Sequence, residues 1–271
     1  MLPEYLRREY NFKNLNNFLL ISGPCVVESK SVVFRTCEAL KKITDKLKIP
    51  FIFKSSYIKA NRTSANSFRT IGVDEALKIL SAVKKEFEVQ ILTDVHSVTE
   101  IPAAAEVADV LQIPAFLSRQ TELLEAAGKS GRIVNIKKGQ FLAPEDMQYQ
   151  AKKVASTGNR KIFLTERGTT FGYHNLVVDM RSLVIMRKSG YPVIFDATHS
   201  VQMPSKEKGV SGGIPEFIRP LARAAAAAGV DGFFIETHPE PKKALSDASS
   251  MLKLDQMENL LKQLVQIHGI K

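Results

Sequence analysis

Eight short runs of apolar and β-branched residues recur along the chain: NFLLISGP, PFIFKSS, VQILTDV, DVLQIPA, RIVNIKK, KIFLTER, YPVIFDATH and GFFIETH. Each is nearly continuous in hydrophobicity instead of alternating, which is how strands buried on both faces read. Between them the apolar residues fall three or four apart, the spacing of an amphipathic helix. That pattern predicts helices in SVVFRTCEALKKITDKL, VDEALKILSAVKKEF, TELLEAAGKSG and PEDMQYQAKKVASTG. It continues through NLVVDMRSLVIMRKSG, IPEFIRPLARAAAAAGV and SMLKLDQMENLLKQLVQIHG, with a shorter helical stretch in HSVTEIPAAAEV. Several of these segments close on Gly after a basic last turn, as helix C-termini do. Eight βα units without a break in composition imply a single α/β domain over 1–271, a closed (β/α)8 TIM barrel, with an open doubly wound sheet as the alternative. Residues 1–17 read as a short N-terminal extension, either a cap or a hairpin.

Composition changes this picture little. A hydrophobic content of 44% and a charged content of 24% are those of an ordinary globular protein. The opening MLPEYLRREYNFKNLNN lacks the apolar h-region of a signal peptide, and no window offers the run of about 18 apolar residues that a membrane helix needs. A cytoplasmic protein with no membrane partner is expected. The net charge of +10 admits a nucleic-acid surface or an anionic small-molecule substrate. Its Lys and Arg residues are scattered, and the chain has no Trp, so no nucleic-acid partner is expected. Two cysteines cannot build a disulfide framework, and Cys37 falls within a helical stretch.

A (β/α)8 enzyme carries its chemistry at the C-terminal ends of its strands. The polar residues closing the eight runs are Cys25, Lys54, Asp94, Gln112, Lys137, Arg167, His199 and Glu236. Lys54, Lys137 and Arg167, joined by Lys59 and Arg62 of YIKANRTS and by Arg119 of IPAFLSRQ, read as uncompensated cations around one mouth, suited to phosphate and carboxylate groups. Cys25, His199 and Glu236, with Asp247 of ALSDASS, offer sulfur, nitrogen and two carboxylates. Strands one, seven and eight are neighbours in a closed barrel, so this set can meet and would suit a divalent metal such as Zn, Fe or Mn. The plainer readings are packing for Cys25, a hydrogen-bonded structural role for His199 and a helix N-cap for Asp247.

The motifs GPCVVES, FKSSYIKANRTSANSFRTIG, ILTDVH, LQIPAFLSRQT, NIKKGQF, ERGTTFGYHNLVVDM, FDATHSVQ and GFFIETHPEP with ALSDASS resemble, in order from about residue 18 onward, those of the 3-deoxy-manno-octulosonate 8-phosphate synthases. The resemblance implies a (β/α)8 homotetramer that condenses phosphoenolpyruvate with arabinose 5-phosphate in lipopolysaccharide precursor synthesis. GPC together with LSDAS is similar to the metal-dependent branch, where Cys25, His199, Glu236 and Asp247 would be the ligands. Lys54, Lys59, Gln112, Lys137 and Arg167 would surround phosphoenolpyruvate. Asn61, Arg62 and Thr63 would hold the sugar phosphate, with Arg119 reaching across from a neighbouring subunit. His199 and Asp94 would assist the chemical step, with Lys59 and Asn61 as further catalytic candidates. The loop MPSKEKGVSGGIPEF departs from the family's usual pattern, so substrate contacts there are left open. The rival readings are the related 3-deoxy-arabino-heptulosonate 7-phosphate synthases, which use erythrose 4-phosphate, a Schiff-base aldolase using Lys54 or Lys137, and a basic nucleic-acid-binding protein.

Overall fold

The structure, a computed structural model, describes residues 2–12, 14–60, 68–207 and 210–270. Eight parallel strands form the barrel: β1 (Leu19–Gly23), β2 (Phe51–Lys54), β3 (Gln90–Asp94), β4 (Val110–Ile113), β5 (Ile133–Lys137), β6 (Ile162–Glu166), β7 (Val193–Asp196) and β8 (Gly232–His238). They pair in chain order, and β8 pairs back onto β1 with Leu19 opposite Gly232 and Gly23 opposite Glu236. The sheet is therefore closed, and the open doubly wound alternative is excluded.

Helices α1 (Tyr5–Tyr10), α2 (Lys30–Leu47), α3 (Val73–Phe87), α4 (Ile101–Val107), α5 (Thr121–Lys129), α6 (Met147–Ala155), α7 (Arg181–Arg187), α8 (Ile218–Ala228) and α9 (Met257–His268) complete the chain order. All but α1 pack around the barrel, their apolar faces meeting Leu20, Phe53, Leu111, Val134, Leu164, Phe195 and Phe233. Cys37 lies in this outer layer, buried with Val33 and Leu40 along one face of α2, an ordinary packing thiol.

The opposite faces of the strands fill the interior. Ile21, Ile52, Leu92, Val110, Ile133, Phe163, Ile194 and Phe234 form one apolar layer, closed from below by Leu2, Leu6, Tyr10, Phe12 and Leu15 of the N-terminal segment. Of the two forms considered for residues 1–17, the segment takes the cap. Side chains two apart along a strand share a face. Lys54, Asp94, Gln112, Asn135, Asp196 and Glu236 each stand two residues beyond a member of that layer, so they point into the same interior nearer its C-terminal mouth.

Three segments depart from the pattern-based reading. The stretch NLVVDMRSLVIMRKSG is helical only over Arg181–Arg187; Leu176–Val177 instead pairs with Thr169–Thr170 in a small antiparallel ladder. The loop following His199 forms a second ladder, Gln202–Glu207 with Val210–Gly213. Residues Leu252–Lys253 extend the sheet beside β8 before α9 begins, so Asp247 caps no helix. In the first and third cases an edge partner takes backbone groups that local spacing had assigned to a helix, and in the second it pairs two halves of a loop that carried no assignment. Among the described residues, no helix is long and apolar enough to cross a membrane.

One glycine bears directly on the mouth. A Cβ on Gly23 would lie 2.0 Å from the carbonyl oxygen of Lys54, so only glycine lets β1 approach β2 there. Gly23→Ala is expected to destabilise the fold by about 3 kcal/mol or more, because the clashing atom is backbone and cannot turn aside. A denaturant midpoint equal to that of the wild type would contradict this.

Candidate active site

The mouth is lined by paired charges. Lys54 ends β2 fully buried; its Nζ contacts Glu236 Oε1 and donates to the carbonyl oxygen of Cys25 at 3.0 Å. Lys137 Nζ lies 2.6 Å from Asp196 Oδ2 and 4.2 Å from the centroid of the Phe234 ring, which floors the site. Lys59 Nζ is 3.9 Å from Asp94 Oδ2. Arg167 Nη2 donates to Gln202 Oε1 at 2.8 Å, and Gln202 Nε2 to Asp247 Oδ1 at 3.1 Å. The expectation of uncompensated cations is thus corrected: burial makes an unpaired charge costly, and the fold supplies carboxylates for Lys54, Lys59 and Lys137. Arg167 keeps an open position: it is 5% exposed, and its Nη1 is buried with no hydrogen-bond partner among the described residues.

Asp196, the residue that ends β7, organises the next part of the site. Its Oδ1 accepts from the backbone N–H groups of Thr198 and His199, turning the chain so that the His199 ring comes back over the mouth. Its Oδ2 lies 2.8 Å from His199 Nδ1 as well as beside Lys137. Burial opposes the charge of Asp196, yet His199 and Lys137 hold its carboxyl well below the usual range. Burial also pulls Lys137 below the ordinary lysine value, even beside Asp196 and Glu236. With Nδ1 donating to an ionised carboxylate, Nε2 is the ring nitrogen left to face the mouth, 3.6 Å from Glu236 Oε2.

A chain of polar contacts crosses the barrel on its other side. Thr165 Oγ1 donates to Asn135 Oδ1 at 2.7 Å, Asn135 Nδ2 to Gln112 Oε1 at 2.8 Å, and Gln112 Nε2 to Asp94 Oδ1 at 2.6 Å. Ser56 Oγ donates to the second oxygen of Asp94. The register permits it, since Asp94 pairs with Gln112 and Gln112 with Asn135 across adjacent strands. Burial would raise the pKa of Asp94, but Lys54, Lys59 and the Gln112 amide hold it well below the normal range. Asp94 is therefore a fixed anion that orients Gln112 and Lys59.

Cys25 stands two residues beyond Gly23, and it is 1% exposed. Its Sγ lies 2.8 Å from Asp247 Oδ2 and 3.0 Å from Ser246 Oγ. Burial, reinforced by Asp247 and Glu236, pushes the thiol pKa up, and the S–H donates to Asp247 Oδ2. Asp247 adopts a left-handed backbone (φ 50°), a conformation that aspartate tolerates. Ligand atoms of Cys25, Glu236 and Asp247 all lie within 4.8 Å of one another, with His199 at the edge of this group through Glu236. The donor chemistry fits a borderline divalent metal. A sulfur and two carboxylates converge, and Glu236 Oε2 is buried with no hydrogen-bond partner among the described residues. A histidine whose Nδ1 is held by a carboxylate faces the same space, the arrangement usual for a metal-ligating imidazole.

Of the residues singled out by sequence, the structure brings Cys25, Lys54, Lys59, Asp94, Gln112, Lys137, Arg167, His199, Glu236 and Asp247 to one end of the barrel. Arg119 is exposed beyond β4, its carbonyl oxygen accepting from Lys153. Asn61, Arg62 and Thr63 lie outside the described residues. Sequence reasoning passed over Asp196 and Asn135, although each stands two residues beyond an inward-facing isoleucine. Ser56, Gln202 and Ser246 sit on connections, where no local periodicity marks them.

A family model described as the DAHP synthetase I family matches residues 13–270. The chain belongs to this family. It is an enzyme whose relatives carry the name 2-dehydro-3-deoxyphosphooctonate aldolase. The Dichelobacter nodosus relative is 56% identical over 256 residues, covering 94% of this chain and 92% of its own. That of Geotalea uraniireducens is 56% identical over 252 residues, 93% of each chain. The Campylobacter jejuni relative is 55% identical over 267 residues, 94% of this chain and 98% of its own. The family's description names a heptulosonate synthase, while these relatives, more than half identical to the chain over nearly its whole length, are named for the phosphooctonate.

Proposed function

We propose that the chain condenses phosphoenolpyruvate with arabinose 5-phosphate and water, giving 3-deoxy-manno-octulosonate 8-phosphate and inorganic phosphate for lipopolysaccharide precursor synthesis. The observation that carries this reading is the buried Arg167 Nη1, without a hydrogen-bond partner among the described residues, close to Lys137 at the mouth of a barrel whose family members join a phosphoenol acid to an aldose phosphate. Arg167 presents a planar donor fork to phosphate, and the lysines present ammonium groups to phosphate and carboxylate. Gln112, its amide fixed through Asn135 and Asp94, offers an oriented donor to the same substrate.

In the condensation, carbon 3 of the enol forms a bond to the aldehyde carbon of the sugar while the aldehyde oxygen gains a proton. Water then adds at carbon 2, and phosphate leaves with cleavage of the C–O bond. Holding both anions in one mouth turns a bimolecular encounter into a positioned one, which is worth up to about 7–11 kcal/mol where alignment is ideal. Cys25, His199 through Nε2, Glu236 and Asp247 would hold a divalent Zn, Fe or Mn ion, whose chemistry is to polarise or orient the aldehyde oxygen and a water. His199 Nε2 then serves as ligand, and Lys137, whose grip on its proton burial loosens, is the group suited to protonate the developing alkoxide. Asn61, Arg62 and Thr63 hold the sugar phosphate in this reading. Arg119 completes the site from a neighbouring subunit of a homotetramer; its own exposure and that of Phe116, 59% exposed beside it, support such a contact.

Phosphoenolpyruvate consumption with arabinose 5-phosphate, compared with erythrose 4-phosphate, tests the acceptor. We expect consumption with the pentose phosphate, with one inorganic phosphate released per product. Faster turnover with erythrose 4-phosphate would establish the heptulosonate reaction instead. The same assay after exhaustive chelation tests the metal: activity should fall and return on adding a divalent ion. Borohydride added during turnover should trap no covalent adduct; a trapped one would favour the Schiff-base alternative at Lys54 or Lys137.

A further inference from the structure

The GPCVVES motif contains a largely enclosed carboxylate with no place in the chemistry above. Glu28 is three residues beyond Cys25 and directly precedes Ser29, whose side chain caps the N-terminus of α2. Glu28 Oε1 lies 2.7 Å from His238 Nε2, and its Oε2 accepts from the backbone N–H of Leu245 at 3.0 Å. The two side chains are 9% and 4% exposed. His238 Nδ1 accepts from the backbone N–H of Glu240 at 2.9 Å, which places the ring proton on Nε2, aimed at Glu28. One carboxylate thus clasps the last residue of β8 and the residue two before Asp247, spanning the whole connection between them.

The other side of the clasp is fixed independently. Ser56 N donates to the carbonyl oxygen of Cys25 at 3.3 Å, and Val27 N to that of Ser56 at 2.9 Å, tying the Cys25 segment to the end of β2. Cys25 and Asp247 are 222 positions apart in sequence, and they come within 2.8 Å. We infer that Glu28 is a positioning residue which holds the Asp247 segment against the Cys25 segment and so sets the spacing of the donor group. This inference rests on the proposed metal site. Glu28 touches neither substrate nor metal; it acts through the loop. Both of its contacts come from donors, so an amide of the same shape cannot replace it: one donor would face the amide nitrogen.

The test is a Co2+ titration of metal-stripped protein. It is followed by the thiolate-to-cobalt charge-transfer absorption and, for affinity, by competition with a chelator. Glu28→Gln should weaken Co2+ binding by about 10–100-fold, the usual cost of losing a group that orients a ligand. Leu245→Ala, which keeps its backbone N–H, should bind as the wild type does. A merely structural contact would lower the melting temperature of the stripped variant and leave its Co2+ affinity unchanged; that result overturns the inference. If Glu28→Gln does not fold, amide exchange at Leu245 in the wild type decides. Slower exchange on adding Co2+ supports the clasp, and equal exchange refutes it. A wild type lacking the charge-transfer band removes the metal reading, and the inference with it, an outcome distinct from wild-type binding that Glu28→Gln leaves intact.

Discussion

Lys137→Met is expected to lower kcat/KM for phosphoenolpyruvate by about a thousandfold, which is roughly 4 kcal/mol at 1.4 kcal/mol per factor of ten. The substitution keeps most of the apolar bulk of the side chain but removes the ammonium that lies over the Phe234 ring. What disappears is the ammonium group at the mouth, together with the partner of a carboxylate that is fully buried. Steady-state kinetics against each substrate check it. Because the same ammonium protonates the alkoxide, kcat should fall and the loss should appear against both substrates; a variant within tenfold of the wild type would remove Lys137 from the site. A second reading follows from Asp196, whose folded pKa is depressed. Its contribution to stability is complete above the ordinary aspartate value of about 4 and is lost as pH falls from there through the folded value. Without Lys137 the depression is smaller. The variant should therefore unfold at a higher pH than the wild type during acid titration followed by circular dichroism.

Cys25→Asn addresses the proposed metal directly. Asparagine is of similar bulk, and its amide can donate to Asp247 Oδ2 where the thiol now does, so folding should be retained. The thiolate ligand is gone, however, and a carboxamide is a far weaker donor to a borderline cation. Metal affinity should fall by more than the about 10–100-fold that loss of an orienting partner costs. Equilibrium dialysis with metal analysis reads this, and wild-type metal content in the variant would discard Cys25 as a ligand. Residual turnover is expected, carried by the substrate-binding lysines and Arg167, and it should no longer respond to chelator. Turnover that still needs added metal would mean that the remaining donors hold it without sulfur.

The two variants touch features of unequal legibility. Lys137 could be read directly from RIVNIKK, because alternation along a strand puts it on the same side as Asn135 and Ile133. The same rule marks Lys54 after Ile52, Asp94 after Leu92, Gln112 after Val110 and Glu236 after Phe234. It would also have marked Asp196, had the run not been followed three residues too far, to His199. Cys25 is different. Its position after a strand was visible, but its neighbour Asp247 lies on another connection, and nothing local says that the two meet. The adjacency of the first and eighth strands in a closed barrel suggested that pairing and the family likeness sharpened it; the backbone geometry then brought the atoms to 2.8 Å.

By itself, then, the sequence determined the number of barrel strands, the α/β alternation, and most of the side chains that point into the mouth, since all three follow from periodicities of two and about three and a half residues. Closure of the sheet was suggested by the number of units, and only the pairing of β8 with β1 decided it. The tertiary structure alone decided that the N-terminal segment plugs the barrel floor and that carboxylates compensate the lysines at the mouth. It alone showed that Asp196 aims the His199 ring and that Glu28 clasps the segment bearing Asp247. The physical reason is the same throughout. Periodicity reports which face of an element is buried, whereas a hydrogen bond between two loops depends on how the whole barrel brings distant backbone together, and no local pattern encodes that distance.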